Sequence, residues 1–379
     1  NVNKCDNISI SNERVSLRQE LSQLLGFKNF AEYSLASKMA NSGEQVNGFL
    51  HDLAKRSKPQ AQKDIDTLTA YANEHYQADK LLAWDFAYYS EKLKEQTYKI
   101  SDEQLRPYFP EDKVVKGLFE VVSRLYSLTI SARGDVDTWH KEVRFYDIHD
   151  QTGELRGSFY LDLYAREKKR GGAWMDECRV RRQKTDGSQQ YPVAYLTCNF
   201  NGPVGDKPAL FTHDEVVTLF HEFGHGIHHM LTKINVAGVS GINGVPWDAV
   251  ELPSQFLENW CWQPEALSFI SGHFKTGEAL PQTLLDNMLA ARNFQSAMQM
   301  LRQLEFSLFD FSLHENFVAG QTNVQHWLDN VRKQVSVLIP PSFNRFQNSF
   351  GHIFAGGYAA GYYSYKWAEV LSSDAFSRF

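Results

Sequence analysis

Thr218-Leu-Phe-His-Glu-Phe-Gly-His-Gly-Ile-His-His229 is the stretch on which the reading of this chain turns. Inside it lies the pentad His221-Glu222-Phe223-Gly224-His225. Residues four apart on a helix share a face, one turn along the axis. Two imidazoles so placed can grip one zinc ion, each nitrogen about 2.0–2.1 Å from it. Glu222 follows the first of them, so it stands beside the ion without having to bind it. A carboxylate there can take a proton from the metal's water. The competing reading is a packed or solvated histidine pair with no metal.

The flanks favour the metal. Thr212-His213-Asp214-Glu215 fits a capping box, with Thr212 as N-cap and Glu215 at N3, so a helix is predicted from about residue 213. Gly224 and Gly226 cost helix propensity, roughly 1 kcal/mol each relative to Ala. They are tolerable if another backbone packs close to the helix there.

A catalytic zinc keeps one position open and needs three protein ligands. Two residues compete to be the third. His228 lies seven residues after His221 on the same face, about 10 Å along the axis at ~1.5 Å per residue. That span strains a tetrahedral site. Glu251, in Asp248-Ala-Val-Glu-Leu-Pro-Ser-Gln255, is expected on the next helix, after the Gly-rich turn 238–246. The simpler reading of Glu251 is a helix N-terminal acid favoured by the dipole.

Working outward, 379 residues with 42% apolar and 22% charged content suit one large or two ordinary globular domains. A net charge of −6 gives no footprint for nucleic acid or an anionic membrane surface. No apolar run reaches the ~18 residues of a membrane span. Cys5, Cys178, Cys198 and Cys261 are widely spread and read as free thiols of a reducing, cytoplasmic compartment. The N-terminus lacks an apolar signal segment and an initiator Met, and Ser377-Arg378-Phe379 is a poor helix end, so a fragment of a longer, monomeric protein is expected.

Helical spacing runs through residues 14–57, with Gly26 as a stop after Leu17, Leu21, Leu24 and Leu25. Lys58-Pro59 is expected to break it before a second helix from Ala61 to about His75. The aromatic cluster at 84–89 reads as core packing, with substrate contact as the alternative. A helix from Ser90 to Tyr98, a start at Ser101 and an apolar helix over Val114–Leu128 follow. From about 134 the period becomes two. Val143–Ile148 and Gly157–Tyr164 read as a hairpin, and Val193–Phe200 as a further strand, able as an edge to pair with an extended peptide. Lys168–Gly172 reads as a solvated loop, with contact to a peptide carboxylate as the alternative. Helices return over 256–262, 281–292 and 295–316, with 301–311 buried. The division expected is a helical region 1–130 and a catalytic region 131–379.

Tyr358, Tyr362 and Tyr365, at i, i+4 and i+7, are expected to line one helical face. Such a stripe is usually core. Buried phenols need partners, however, and hydroxyls aimed at a developing oxyanion would serve amide hydrolysis.

Three separated motifs in order, His221–His225, Asp248–Gln255 and Gly356-Gly-Tyr-Ala-Ala-Gly-Tyr-Tyr-Ser-Tyr365, together resemble the thimet oligopeptidase/neurolysin family of zinc metallopeptidases. The resemblance runs from about residue 14 to the end. It implies a mainly α, two-lobed zincin-type fold with a small β-sheet and a deep central channel that admits short, unfolded peptides. It implies zinc on His221, His225 and Glu251, general-base work by Glu222, and transition-state donors at Tyr358, Tyr362, Tyr365 and His352. Lys366 departs from the apolar residue expected after Tyr365. The activity implied is zinc-dependent endopeptidase cleavage. The alternative is a truncated or inactive relative that binds peptides without cutting them.

Overall fold

The computed structural model describes residues 7–379, so the thiol expected at Cys5 lies outside it. The chain is mainly helical with one small mixed sheet, and forms two compact units, each assembled from separate stretches. Of the described residues, 7–97, 246–249 and 292–367 make the first; 98–245, 250–291 and 368–379 make the second. The expected boundary at 130/131 coincides with none of these crossings.

The first unit is built on two long helices, Gly43–Tyr76 and Ser296–Asn316. Lys58-Pro59 does not break the former. Pro59 and Lys55, whose carbonyl loses its amide partner to the proline, are both exposed, so water can serve that carbonyl. The inward stripe Val46, Leu50, Ala54, Ala61, Ile65, Leu68 and Ala72 continues unbroken past it. The expectation for 301–311 holds: Leu301, Leu304, Leu308, Phe309 and Phe311 are buried. Glu305 in that run is buried between Arg332 Nε at 2.9 Å, Arg302 Nη1 at 2.8 Å and Ser336 Oγ at 2.7 Å, which satisfies a charge that would otherwise be costly.

One expectation at the start of this unit holds and one fails. The helix Ile8–Leu24 does stop before Gly26, whose φ is +87°, but Leu17, Leu21, Leu24 and Leu25 are exposed and the buried positions are Ser11, Val15 and Ser22. The aromatic cluster at 84–89 is not core. The helix Phe86–Tyr98 buries no residue fully, Trp84 is 63% exposed, and Tyr88 and Tyr89 pack their rings on Tyr76.

The second unit holds the sheet: β1 (Thr129–Ala132), β2 (Arg144–His149), β3 (Leu155–Tyr164), β4 (Trp174–Arg179) and, beyond the short pair β5 (Arg182–Gln183) and β6 (Gln189–Gln190), β7 (Val193–Phe200). Its order is β1-β2-β3-β7-β4. The β2–β3 hairpin is as expected; Asp150 Oδ1 accepts the Thr152 amide, and Gly153 takes φ +83° in its turn. β7 has the expected bounds but not the expected place. It pairs in parallel with β3 and antiparallel with β4, so it is central and cannot add a peptide. The edge is β4. Exposed Asp176, Glu177 and Arg179 broke the alternation that would have marked it as a strand.

Phe159, Leu161, Ala194, Leu196 and Cys198 of the sheet pack against the helix His213–Met230, with the Phe159 and Phe223 rings 5.3 Å apart. The opposite face holds Asp162 under Arg166, Lys169 and Trp139. Lys169 is therefore not part of a solvated loop; its side chain is 5% exposed. Cys178, Cys198 and Cys261 are free thiols, as expected. Among the described residues no helix is long and apolar enough to cross a membrane.

Candidate metal centre

The helix His213–Met230 begins where the capping box placed it. Thr212 Oγ1 accepts the Glu215 amide at 3.1 Å, and Glu215 Oε2 accepts the Thr212 amide at 2.8 Å. His221 and His225 stand one turn apart on it, their rings 4.9 Å from each other. Glu251 immediately precedes the helix Leu252–Glu258. A Cβ on Gly224 would lie 2.5 Å from the Pro253 carbonyl oxygen and 2.5 Å from Ser254 Cα. Glycine at 224 is thus what lets the second helix start against the first, and this brings Glu251 over the histidines. Gly226 meets the Leu196 side chain instead, at 3.0 Å.

Glu251 Oε2 lies 3.3 Å from His221 Nε2 and 3.1 Å from His225 Nε2. One ligand atom from each of the three residues falls within 4.8 Å of the others. Donors about 2.0–2.1 Å from a tetrahedral zinc sit roughly 3.3 Å apart, so these spacings fit the ion. His228, the rival third ligand, is not in this group.

The surroundings fit as well. His221 Nδ1 is 2.6 Å from Glu258 Oε1, which fixes Nδ1 as the protonated nitrogen and turns Nε2 toward Glu251. Burial alone would lower the His221 pKa, but Glu251 and Glu258 together hold it well above the ordinary histidine value. Burial would raise Glu251; His225 and His221 outweigh that and hold it well below the ordinary carboxylate range. This carboxylate and its imidazoles present ligand atoms between which a cation can take the place of a proton. Ser254 Oγ, 3.2 Å from Glu251 Oε2, steadies the carboxylate further.

Glu222 is buried and its Oε2 has no hydrogen-bond partner. Burial raises its pKa, while His221, His225 and the backbone amide of Met175 on β4 restrain the rise. His228 is lowered by burial, then by His225 and His229, and its Nδ1 is also without a partner.

The tyrosines belong to the first unit. They do not lie on one helix. Helices cover Gly351–Phe354 and Ser364–Phe376, and Tyr358 and Tyr362 lie in the turn between them, where Ala360 has φ +49°. The Gly residues of this segment and three amides drawn to Asp310 break the helix. The rings gather nonetheless: Tyr358 and Tyr365 stack at 5.2 Å, Tyr362 and Tyr365 lie 4.9 Å apart, and His352 is 5.8 Å from Tyr358 and 5.4 Å from Tyr362. Tyr362 is buried and donates its hydroxyl to Gln303 Oε1 at 3.0 Å, while Tyr358 and Tyr365 are half-buried. Trp247 packs on Tyr358 at 5.4 Å, and Asp248 accepts the Tyr363 hydroxyl and the Met39 and Ala40 amides.

The sequence reading missed Glu258, Asp248 and Asp310. Glu258 carried a usable signal, being seven residues after Glu251 on one face of a short helix. A lone acid inside the apolar run Leu308-Phe-Asp-Phe311 was the only sign of Asp310.

The chain matches the profile of Peptidase family M3 over residues 1–379. It is 64% identical over 380 residues to oligopeptidase A of Escherichia coli (strain K12), covering 100% of this chain and 56% of that protein. The organellar oligopeptidase A (chloroplastic/mitochondrial) of Arabidopsis thaliana is 46% identical over 383 residues, 99% of this chain and 48% of that one. The chain thus spans about half the length of the curated relatives it matches. A solved structure of PZ peptidase A with inhibitor 2 superposes with a TM-score of 0.58 at 16% identity, covering 98% of this chain and 55% of that chain, a likeness of fold. With the pentad, its partner carboxylate and a match along the whole chain, this protein belongs to Peptidase family M3.

Proposed function

We propose that the chain is the catalytic part of a zinc-dependent endopeptidase that hydrolyses short, unstructured peptides, acting as a monomer in the cytoplasm with one zinc ion. The observation that carries the reading is the meeting of His221, His225 and Glu251 donor atoms within 4.8 Å, with the buried Glu222 next in sequence to His221. Zinc held there supplies a Lewis acid for the scissile carbonyl and brings the pKa of a water to about 7.

The rest is the work of the chain's own residues. Glu258 holds His221 in the tautomer that leaves Nε2 for the metal. Glu222 accepts the water's proton at Oε2 and delivers it to the leaving amine nitrogen. Burial, by raising the Glu222 pKa, suits a group that must take a proton and give it back. Tyr358, Tyr362, Tyr365 and His352 take the part the resemblance implies, donating hydrogen bonds to the carbonyl oxygen as it becomes negative. The substrate class rests on relatives named oligopeptidase, and the compartment on the free thiols.

A quenched-fluorescence peptide incubated with the zinc-loaded chain, with and without chelator, tests this. Cleavage that the chelator stops is the expected result. Tight binding without turnover would make the chain a zinc-containing peptide-binding module instead.

A further inference from the structure

We infer that Asp310 is a positioning residue for Tyr358 and Tyr365, an inference that rests on the role given to those tyrosines above. Asp310 sits in the middle of the helix Ser296–Asn316 and is fully buried. Its Oδ1 accepts the Ala360 amide at 2.8 Å, and its Oδ2 accepts those of Gly361 and Tyr362, both at 2.9 Å. A buried carboxylate is tolerated only when hydrogen-bonded, and here the bonds come from one turn of backbone.

These three bonds pin the amides at the middle of that turn. The turn contains Gly356, Gly357 and Gly361, and its carbonyls take the Ser34 hydroxyl at Ala359 and Ala360 and the Ser364 and Tyr365 amides at Gly361 and Tyr362. Ala360 is held at φ +49°, a left-handed region that a residue with a Cβ does not adopt without support. The three anchored amides lie between Tyr358 and Tyr365 and set the separation at which their rings stack. Behind Asp310 the support continues. His314 Nδ1 lies 3.0 Å from Asp310 Oδ1, and His314 Nε2 faces Arg18 Nη1 at 3.1 Å. Arg18 Nη2 donates to the Ile353 carbonyl, next to His352, at 2.6 Å. One network therefore fixes both ends of the aromatic group. Reactive side chains need such support to hold their aim.

The test is a double-mutant cycle on the zinc-loaded chain with Asp310→Asn and Tyr365→Phe. Asparagine keeps the size but turns one acceptor into a donor facing amide hydrogens. Asp310→Asn should lower kcat about tenfold with KM within about twofold. Tyr365→Phe should lower kcat ~10²–10³-fold. The double variant should fall below Tyr365→Phe by clearly less than the roughly tenfold loss of Asp310→Asn alone, because the part of that loss carried by the Tyr365 hydroxyl is already gone and only the part through Tyr358 remains. Calorimetric affinity for a phosphinic peptide, whose tetrahedral anion mimics the transition state, repeats the cycle without turnover. His314→Gln, which leaves the three amides bonded, should shift kcat the same way by about threefold. It carries the test if Asp310→Asn does not fold. Fully additive losses, or Asp310→Asn within twofold of the parent while Tyr365→Phe falls, would overturn this inference alone. Unchanged kcat and phosphinic affinity in both Tyr358→Phe and Tyr365→Phe would overturn the tyrosine reading and this inference with it.

Discussion

The metal centre and the tyrosine turn gather side chains in opposite ways. At the metal centre, regular structure does the work. Two histidines four apart on a capped helix face one way, and a glycine lets a second helix begin against the first, 2.5 Å from where a Cβ would stand. At the tyrosine turn, irregular backbone does it. The rings meet because a carboxylate some fifty residues earlier in sequence captures three successive amides. The first arrangement is written in local spacing, and the second in a long-range contact that spacing does not encode.

The largest effect is expected at the third ligand. Glu251→Ala should lose essentially all bound zinc after dialysis, and all hydrolysis with it, while His228→Ala keeps both. Metal content measured on the two variants decides. Zinc retained by Glu251→Ala would mean that the geometry bringing Glu251 to 3.1 Å from His225 is not the metal's geometry.

On the tyrosine side, Tyr365→Phe should lower kcat by ~10²–10³ with KM little changed, since its hydroxyl would act only on the charged transition state. Tyr362→Phe should fall less, because that hydroxyl is already given to Gln303. Steady-state kinetics on both variants is the check. Equal, small falls with earlier melting would return the cluster to core packing.

Much of the first arrangement was legible. The capping box, the pentad helix, the hairpin and the close approach at Gly224 follow from residue types at fixed offsets, and each offset maps to one geometry. The second was legible only as composition. The i, i+4, i+7 spacing of the tyrosines called for a helix, and Ala360 at φ +49° instead bends the chain. The same limit explains the edge strand. β7 alternates well and was placed at the edge, whereas pairing order is a property of the whole sheet. Pro59 erred the other way: a local breaker was overruled by a continuous buried stripe and a solvent-facing carbonyl.

A smaller effect probes the support behind the metal centre. Glu258→Gln keeps a hydrogen-bond acceptor for His221 Nδ1 but removes the charge. It should weaken zinc about 10–100-fold, as loss of such an outer partner typically does. A competition titration with a chromogenic chelator measures it.

The smallest effect lies on the sheet face away from the pentad helix. Burial would raise the Asp162 pKa, but Arg166, Lys169 and Trp139 bring it to about 2. A carboxyl depressed by folding stabilises the fold above its unfolded value near 3.9, and that contribution is lost as pH falls toward 2. Asp162→Asn should therefore lower Tm at pH 6 and flatten its fall between pH 4 and pH 2. An unchanged slope would mean that the two cations gain nothing from the charge.

Whether this cluster is a hydrolytic centre turns on Glu222. Glu222→Gln preserves shape, leaves the three donor residues untouched and removes only the proton acceptor. Zinc content and peptide hydrolysis, measured on the same preparation, should part company, with about one zinc per chain retained and turnover lost. A Glu222→Gln chain that holds zinc and still cleaves peptide at the parent's rate would contradict the account.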